Sequence, residues 1–168
     1  MRFFLMLLLI SLLGACETPQ AADPAPPKGL RPEQAAVLFT VERFFEGIKR
    51  GDSVLLREVF AGEGQSISVR YQETDTVIRL ASHEPFFRQL AGPPMAEAIG
   101  EPEIRIHRDI ATLWAPYAFW ANEQLSHCGE EVFSLVREAG KWKIMAILYT
   151  VEKGDCMTDW PSPPQFGT

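Results

Sequence analysis

The sequence has 168 residues, 46% hydrophobic and 11% aromatic, with a formal net charge of −6. Such a composition can bury a core and is not that of a disordered tether, and the length suits one domain behind a short leader. With 22 acidic against 16 basic residues and no basic run, the chain offers little to neutralise phosphates, which argues against nucleic-acid binding.

Met1-Arg2, the apolar run Phe3–Leu13 and the small residues Gly14-Ala15 before Cys16 have the form of a secretory signal peptide. The run is shorter than the ~20 residues that span a bilayer. Leu13-Gly14-Ala15-Cys16 resembles the lipobox of bacterial lipoproteins. The resemblance implies a signal peptide over 1–15, cleavage before Cys16, diacylation of its thiol (palmitate being a typical chain) and acylation of the new amino terminus. Two or three acyl chains anchor a protein stably where one does not. The expected partner is therefore a lipid bilayer and the expected location the cell envelope. In some bacteria an Asp after the cysteine resembles an inner-membrane retention signal; Glu17 stands here, which favours an outer membrane and a periplasm-facing domain. Cleavage removes one charge, Arg2, and leaves the mature chain at −7.

The stretch 16–32 then carries Pro19, Pro24, Pro26, Pro27 and Pro32 with almost nothing apolar, as an extended, semi-rigid linker would. A domain over 33–156 follows. Val37, Leu38, Val41, Phe44, Phe45 and Ile48 fall on one helical face; Pro32 suits its first turn and Gly51 ends it after Lys49-Arg50. Asp52 or Ser53 caps a shorter helix presenting Leu55, Leu56, Val59 and Phe60, which Gly62 and Gly64 break. Ser66–Leu80 reads as extended, with Glu73-Thr74-Asp75-Thr76 as a turn. Ser82 is the N-cap of a third helix with Phe86, Phe87 and Leu90 on its apolar face, stopped by Gly92-Pro93-Pro94. Four strand-like runs close the domain: Glu103–His107, Ile110–Asn122, Glu130–Arg137 and Lys141–Glu152. Tight connections at Arg108-Asp109 and Glu138-Ala139-Gly140 demand an antiparallel meander. Pro116 inside the second run marks a bulge or an edge. Residues 157–168 form a Pro-rich tail. Helices followed by a meander sheet make the class α+β.

Three cysteines leave an odd thiol in an exported protein. With Cys16 lipidated, Cys128 and Cys156 remain as a pair in an oxidising compartment, and a bridge would close a loop of about 29 residues worth roughly 3–4 kcal/mol. Two free thiols or a metal pair are the alternatives. His83, His107 and His127 lack ligand spacing, so no metal is expected.

Several phrases together resemble the nuclear-transport-factor-2-like (NTF2-like) superfamily, also called SnoaL-like or cystatin-like α+β cones. They are Val41-Glu42-Arg43-Phe44-Phe45 with Gly51-Asp52, Ile110-Ala111-Thr112-Leu113-Trp114-Ala115-Pro116-Tyr117 and Ser126-His127-Cys128-Gly129. Phe133-Ser134-Leu135-Val136-Arg137 and Gly140-Lys141-Trp142-Lys143-Ile144 complete the series. The resemblance covers Glu33–Cys156 and is nearest to the lumazine-binding-like branch. It implies about three N-terminal helices on the concave face of a strongly curved antiparallel sheet, with a conical pocket between them. Members use that pocket for isomerase, dehydratase, cyclase or hydrolase chemistry, for ligand binding, or for neither. Many dimerise through the outer sheet face.

Candidate ligand-binding residues on the sheet are Trp114, Tyr117, Phe119, His127 and Tyr149. Candidate catalytic residues are His127 or Glu131 as general base and Tyr117 as hydrogen-bond donor to a developing oxyanion. Glu130 and Glu131 are adjacent in a strand, so one of them faces inward. There is no Gly-rich phosphate loop, no Gly-x-Ser-x-Gly and no His-Glu-x-x-His, and nothing requires a cofactor. The expectation is a membrane-anchored module that binds a small, largely apolar ligand or a protein partner. The alternatives are a small SnoaL-like lyase, isomerase or hydrolase, or a structural lipoprotein that pairs through its sheet.

Overall fold

A computed structural model describes residues 29–90, 92–154 and 156. The leader, Cys16, the linker up to residue 28 and the tail from 157 lie outside them. The elements are α1 (Pro32–Arg50), α2 (Ser53–Val59), β1 (Phe60–Tyr71), β2 (Thr76–Ser82), α3 (His83–Gln89), β3 (Met95–Ile99), β4 (Glu103–His107), β5 (Ile110–Ala121), β6 (Gln124–Glu138) and β7 (Lys141–Val151).

Pro32 opens α1, where a missing N–H costs nothing, and Gly51 closes it in the left-handed conformation at φ 62°. Val37, Leu38, Val41, Phe44 and Ile48 are buried along one stripe. Asp52 caps α2, its carboxylate accepting from the Val54 and Leu55 amides at 3.1 and 3.0 Å. Ser82 is the N-cap position of α3 but makes no side-chain capping bond.

The seven strands form one sheet in the order β2-β1-β7-β6-β5-β3, with β4 also pairing to β5. The class and the curved sheet under three helices are as the sequence implies. Three details differ. The sheet is mixed, because β1 runs parallel to β7 while its other pairings are antiparallel. Gly62 and Gly64 do not end a helix; both have positive φ at the irregular start of β1, where its register against β7 shifts between Phe60 and Gln65. Met95–Ile99 adds a strand between α3 and the meander, pairing with the far half of β5.

Pro116 lies in a central strand, and its pairing with β6 runs through it without a shift. It is tolerated because β3 leaves β5 at Tyr117 and β4 begins pairing only at Trp114. The missing N–H falls in that gap, where the Gly100 amide donates to the Pro116 carbonyl at 2.8 Å. The bulge sits three to four residues on, where β5 pairs Phe119 with His127 but Trp120 with Leu125.

The concave face packs on α1. Phe44 meets Phe133 and Phe60 edge-on at 5.6 and 5.7 Å, over the enclosed Leu113, Leu135 and Ile144. The outer face holds a smaller cluster of Ala118, Trp120 and Cys128, on which Cys156 packs. Cys128 and Cys156 form a disulfide with their Cα atoms 5.7 Å apart.

Candidate functional site

Beyond Phe44 the apolar filling stops and a cavity of about 330 Å³ opens between α1, α3 and the sheet. Its volume falls in the range of small-ligand sites, about 300–1,000 Å³. Strand alternation delivers its polar lining. Phe119 and Tyr117 on β5, His127 and Glu131 on β6 and Tyr149 on β7 all face inward, with Glu97 of β3 on the far side of β5 and His83 at the start of α3.

Glu131 settles which of the two adjacent acids points inward. It is 1% exposed, and its Oε1 has no hydrogen-bond partner. Burial pushes its carboxyl well above the usual carboxylate range, and the neighbouring Glu97 pushes it the same way. Glu97 is half-buried as a residue, yet burial of its carboxyl raises it to about 8. Glu130 is exposed on the outer face and accepts from the Trp114 indole at 2.7 Å.

His127 lines the cavity, its ring 5.0 Å from that of Phe119 and 5.8 Å from that of Tyr117. Burial first, and then the Arg70 and Lys153 charges, lower it to about 4, so it is a neutral imidazole at physiological pH. Its Nδ1 lies 3.1 Å from the Ser126 hydroxyl. His83 is 3% exposed between Phe60 and Phe87, and burial lowers its pKa too. Its imidazole donates to the Gln65 backbone. Because Nε2 has no partner, that donor is Nδ1, and Nε2 is left as a lone-pair acceptor.

Of the two tyrosines, Tyr117 has its hydroxyl engaged elsewhere. It donates to the Thr150 carbonyl at 2.6 Å, so it is not free to serve an oxyanion as the sequence suggested. The Ser68 side chain acts on Tyr149 in the sense that favours the phenolate, as a donor to its oxygen would. Both are raised above ordinary tyrosine, chiefly by burial, and neither ionises near neutrality. Gly129 makes this arrangement possible. A Cβ there would lie 2.3 Å from the Thr150 hydroxyl oxygen and 2.8 Å from its carbonyl oxygen.

Of the residues chosen from sequence, the structure brings Tyr117, Phe119, His127, Glu131 and Tyr149 into one cavity. Trp114 is not among them. It lies on the opposite face, 52% exposed, because it is an odd number of residues from Tyr117 in an unbroken stretch of strand. Glu97 and His83 were not singled out as site residues. The available signal for Glu97 was a carboxylate flanked at i±2 by Met95 and Ile99, both packed against the core. Among the described residues no group of three or more His, Cys, Asp or Glu side chains is placed to hold a metal ion.

Neither a family model nor a curated protein matches the sequence. Solved structures do match the fold. An NTF2-like protein of unknown function from Shewanella baltica superposes with a TM-score of 0.54 at 20% identity, covering 73% of this chain and 95% of that one. A cystatin-like-fold protein of unknown function from Nostoc punctiforme gives 0.55 at 14%, covering 70% and 89%. The chain has the NTF2-like fold. A proposed dehydratase of the NTF2-like family from Streptomyces avermitilis superposes at 0.55 with 13% identity, covering 73% and 97%. Identities this low relate the folds and leave function to the site.

Proposed function

We propose that the domain binds a small, largely apolar ligand in the concave cavity, with aromatic rings around its body and Glu131, Glu97 and His83 around its polar end. The observation that carries this reading is the pair of buried polar atoms without partners on the cavity residues, Glu131 Oε1 and His83 Nε2. Leaving a buried polar group unsatisfied costs about 1–3 kcal/mol, which a ligand's own polar group would recover. Native mass spectrometry of the full chain, exported and purified in detergent, should show an added mass that denaturation removes. A bare protein mass in every preparation, with no thermal shift from any member of a small-fragment library, rejects it.

A second reading, proton-transfer catalysis of the lyase or isomerase kind, is favoured by Glu97, whose carboxyl at about 8 can hold or release a proton near neutral pH. It requires turnover of a bound ligand that follows an ionisation near that value and disappears in Glu97→Gln while binding survives. Equal turnover in the variant removes it.

The lipobox-like phrase supports an envelope lipoprotein, tethered through acylated Cys16 and the linker, with the outer membrane favoured by Glu17. Cys16→Ser should accumulate as an unacylated precursor, and normal maturation of that variant contradicts the anchor. The lumazine-binding-like placing rests on the same sequence phrases as before. Self-association through the sheet is supported by a row of outward apolar side chains in register across five strands: Leu80, Ile67, Leu148, Val132 and Trp114. Sedimentation should show a dimer that Trp114→Glu splits; a monomer at all concentrations rejects it.

A further inference from the structure

The chemistry lining the cavity narrows the ligand class, on the assumption that the binding reading above holds. We propose that the cavity takes an amine, a small aromatic or aliphatic body whose protonated nitrogen docks against Glu131 with Glu97 as the second acid. The geometry first sets what the ligand must bring. Tyr117 spends its O–H on the Thr150 carbonyl, and the His83 N–H goes to the Gln65 backbone. Left unpaired are Glu131 Oε1 and the His83 Nε2 lone pair. An ammonium supplies N–H donors to both kinds of atom and carries no acceptor of its own.

Charge points the same way. Two carboxyls face one cavity, and among the described residues no cation offsets the burial of either. The Arg70 charge acts on Tyr149 and His127, and Lys153 acts on His127. Buried acids without a counter-ion stay protonated, and a ligand cation changes that balance: it enters, one carboxyl gives its proton to solvent, and the ion pair forms in the cavity. The walls suit a cation with an apolar body, since Phe44, Phe86, Phe119 and Tyr149 present aromatic surface around the acids. Of the groups facing the pair, Tyr117, Tyr149, His83 and His127 are neutral around pH 7, and Arg70 of β1, whose charge acts on Tyr149 and His127, is the cation on this side. The expected pH dependence therefore belongs to the acids, and affinity rises as pH climbs toward about 8.

The test is calorimetry on the full chain in detergent with three matched probes: phenethylamine, its neutral isostere propylbenzene, and the hydrogen-bond acceptor benzyl methyl ketone. The amine should bind about ten-fold or more above either neutral probe, the margin expected for a charge-assisted hydrogen bond. Titration at pH 7 in buffers of different ionisation enthalpy should report proton release. Glu131→Gln, and independently Glu97→Gln, should remove the preference for the amine while propylbenzene binding persists. If the ketone binds as tightly as the amine, the carboxyls act as neutral donors and the amine proposal falls, while the ligand-site reading stands. If propylbenzene binds as tightly, the acids play no part and the proposal falls in the same way. If no probe binds the wild-type chain, the proposal and the ligand-site reading fall together.

Discussion

Two stretches of the same concave face are built on one alternation and filled by opposite rules. Around the N-terminal two-thirds of α1, the inward positions of β5, β6 and β7 are Leu113, Phe133, Leu135 and Ile144, each at most 2% exposed and none carrying a polar atom. A few residues further along the same strands, the inward positions are Tyr117, Glu131 and Tyr149, with Glu97 and His127 beside them. Backbone geometry is common to both, so the difference lies in side-chain chemistry alone. The first region is satisfied by contact within the chain. The second keeps a carboxyl oxygen of Glu131 and an imidazole nitrogen of His83 out of water without a hydrogen-bond partner, a state natural cores rarely keep without a purpose.

The contrast can be broken first at its apolar end. Phe133→Ala removes the ring that Phe44 and Phe45 pack against and should cost about 3–5 kcal/mol, read from urea unfolding. A loss below about 1 kcal/mol would mean that this end is not the core. The site end is held differently. Cys128 lies between His127 and Gly129, and its bridge to Cys156 closes a loop across a sequence separation of 28. Cys156→Ser should cost about 3–4 kcal/mol in the same measurement, and unchanged unfolding would show that the bridge does not constrain the chain.

A smaller effect, and the sharper test, is the pH dependence of melting. Glu97 and Glu131 hold protons in the folded chain that they release on unfolding, so the stability they give is complete below about 4.5 and is lost as pH rises, through about 8 for Glu97 and through the raised range of the Glu131 carboxyl. His127, held neutral, acts in the opposite sense; its contribution is complete above 6.5 and is lost as pH falls toward about 4. Between 6.5 and 8 the carboxyls dominate, and Tm should fall by on the order of 5 °C. Glu97→Gln should flatten that slope, and a wild-type Tm that rises over the interval contradicts the buried-acid assignment. The smallest effect is expected from Phe119→Ala. Phe119 borders open cavity on one side, so about 1 kcal/mol is expected, well short of the Phe133 loss. An equal loss at both positions would erase the distinction between the two regions.

Much of this could be read from the residues, and the failures have physical causes. The α1 stripe, the Asp52 cap, the hairpin turns and the Cys128–Cys156 pair were visible because each depends on local spacing or on counting. The parallel β1–β7 pairing was not, since it joins segments some eighty residues apart and leaves no local mark. Trp114 was chosen by residue type although its parity already opposed it to Tyr117 and Phe119. Glu97 was missed because Met95–Ile99 is five residues long and follows Gly92-Pro93-Pro94, which reads as a stop. Its inward direction comes from pairing with Phe119, a partner known only once the sheet is assembled.

The position of α1 across the sheet has a consequence for presentation. Its first turn is held where Glu33 meets Arg137 at 3.1 Å and Arg137 stacks on Trp142, whereas Phe44 and Ile48 border the cavity more than two turns later. At 1.5 Å per residue, roughly 20 Å of helix separates chain entry from cavity wall. Any leash attached ahead of α1 therefore grips the molecule about that far from the ligand cavity, so tethering and binding engage separate parts of the domain.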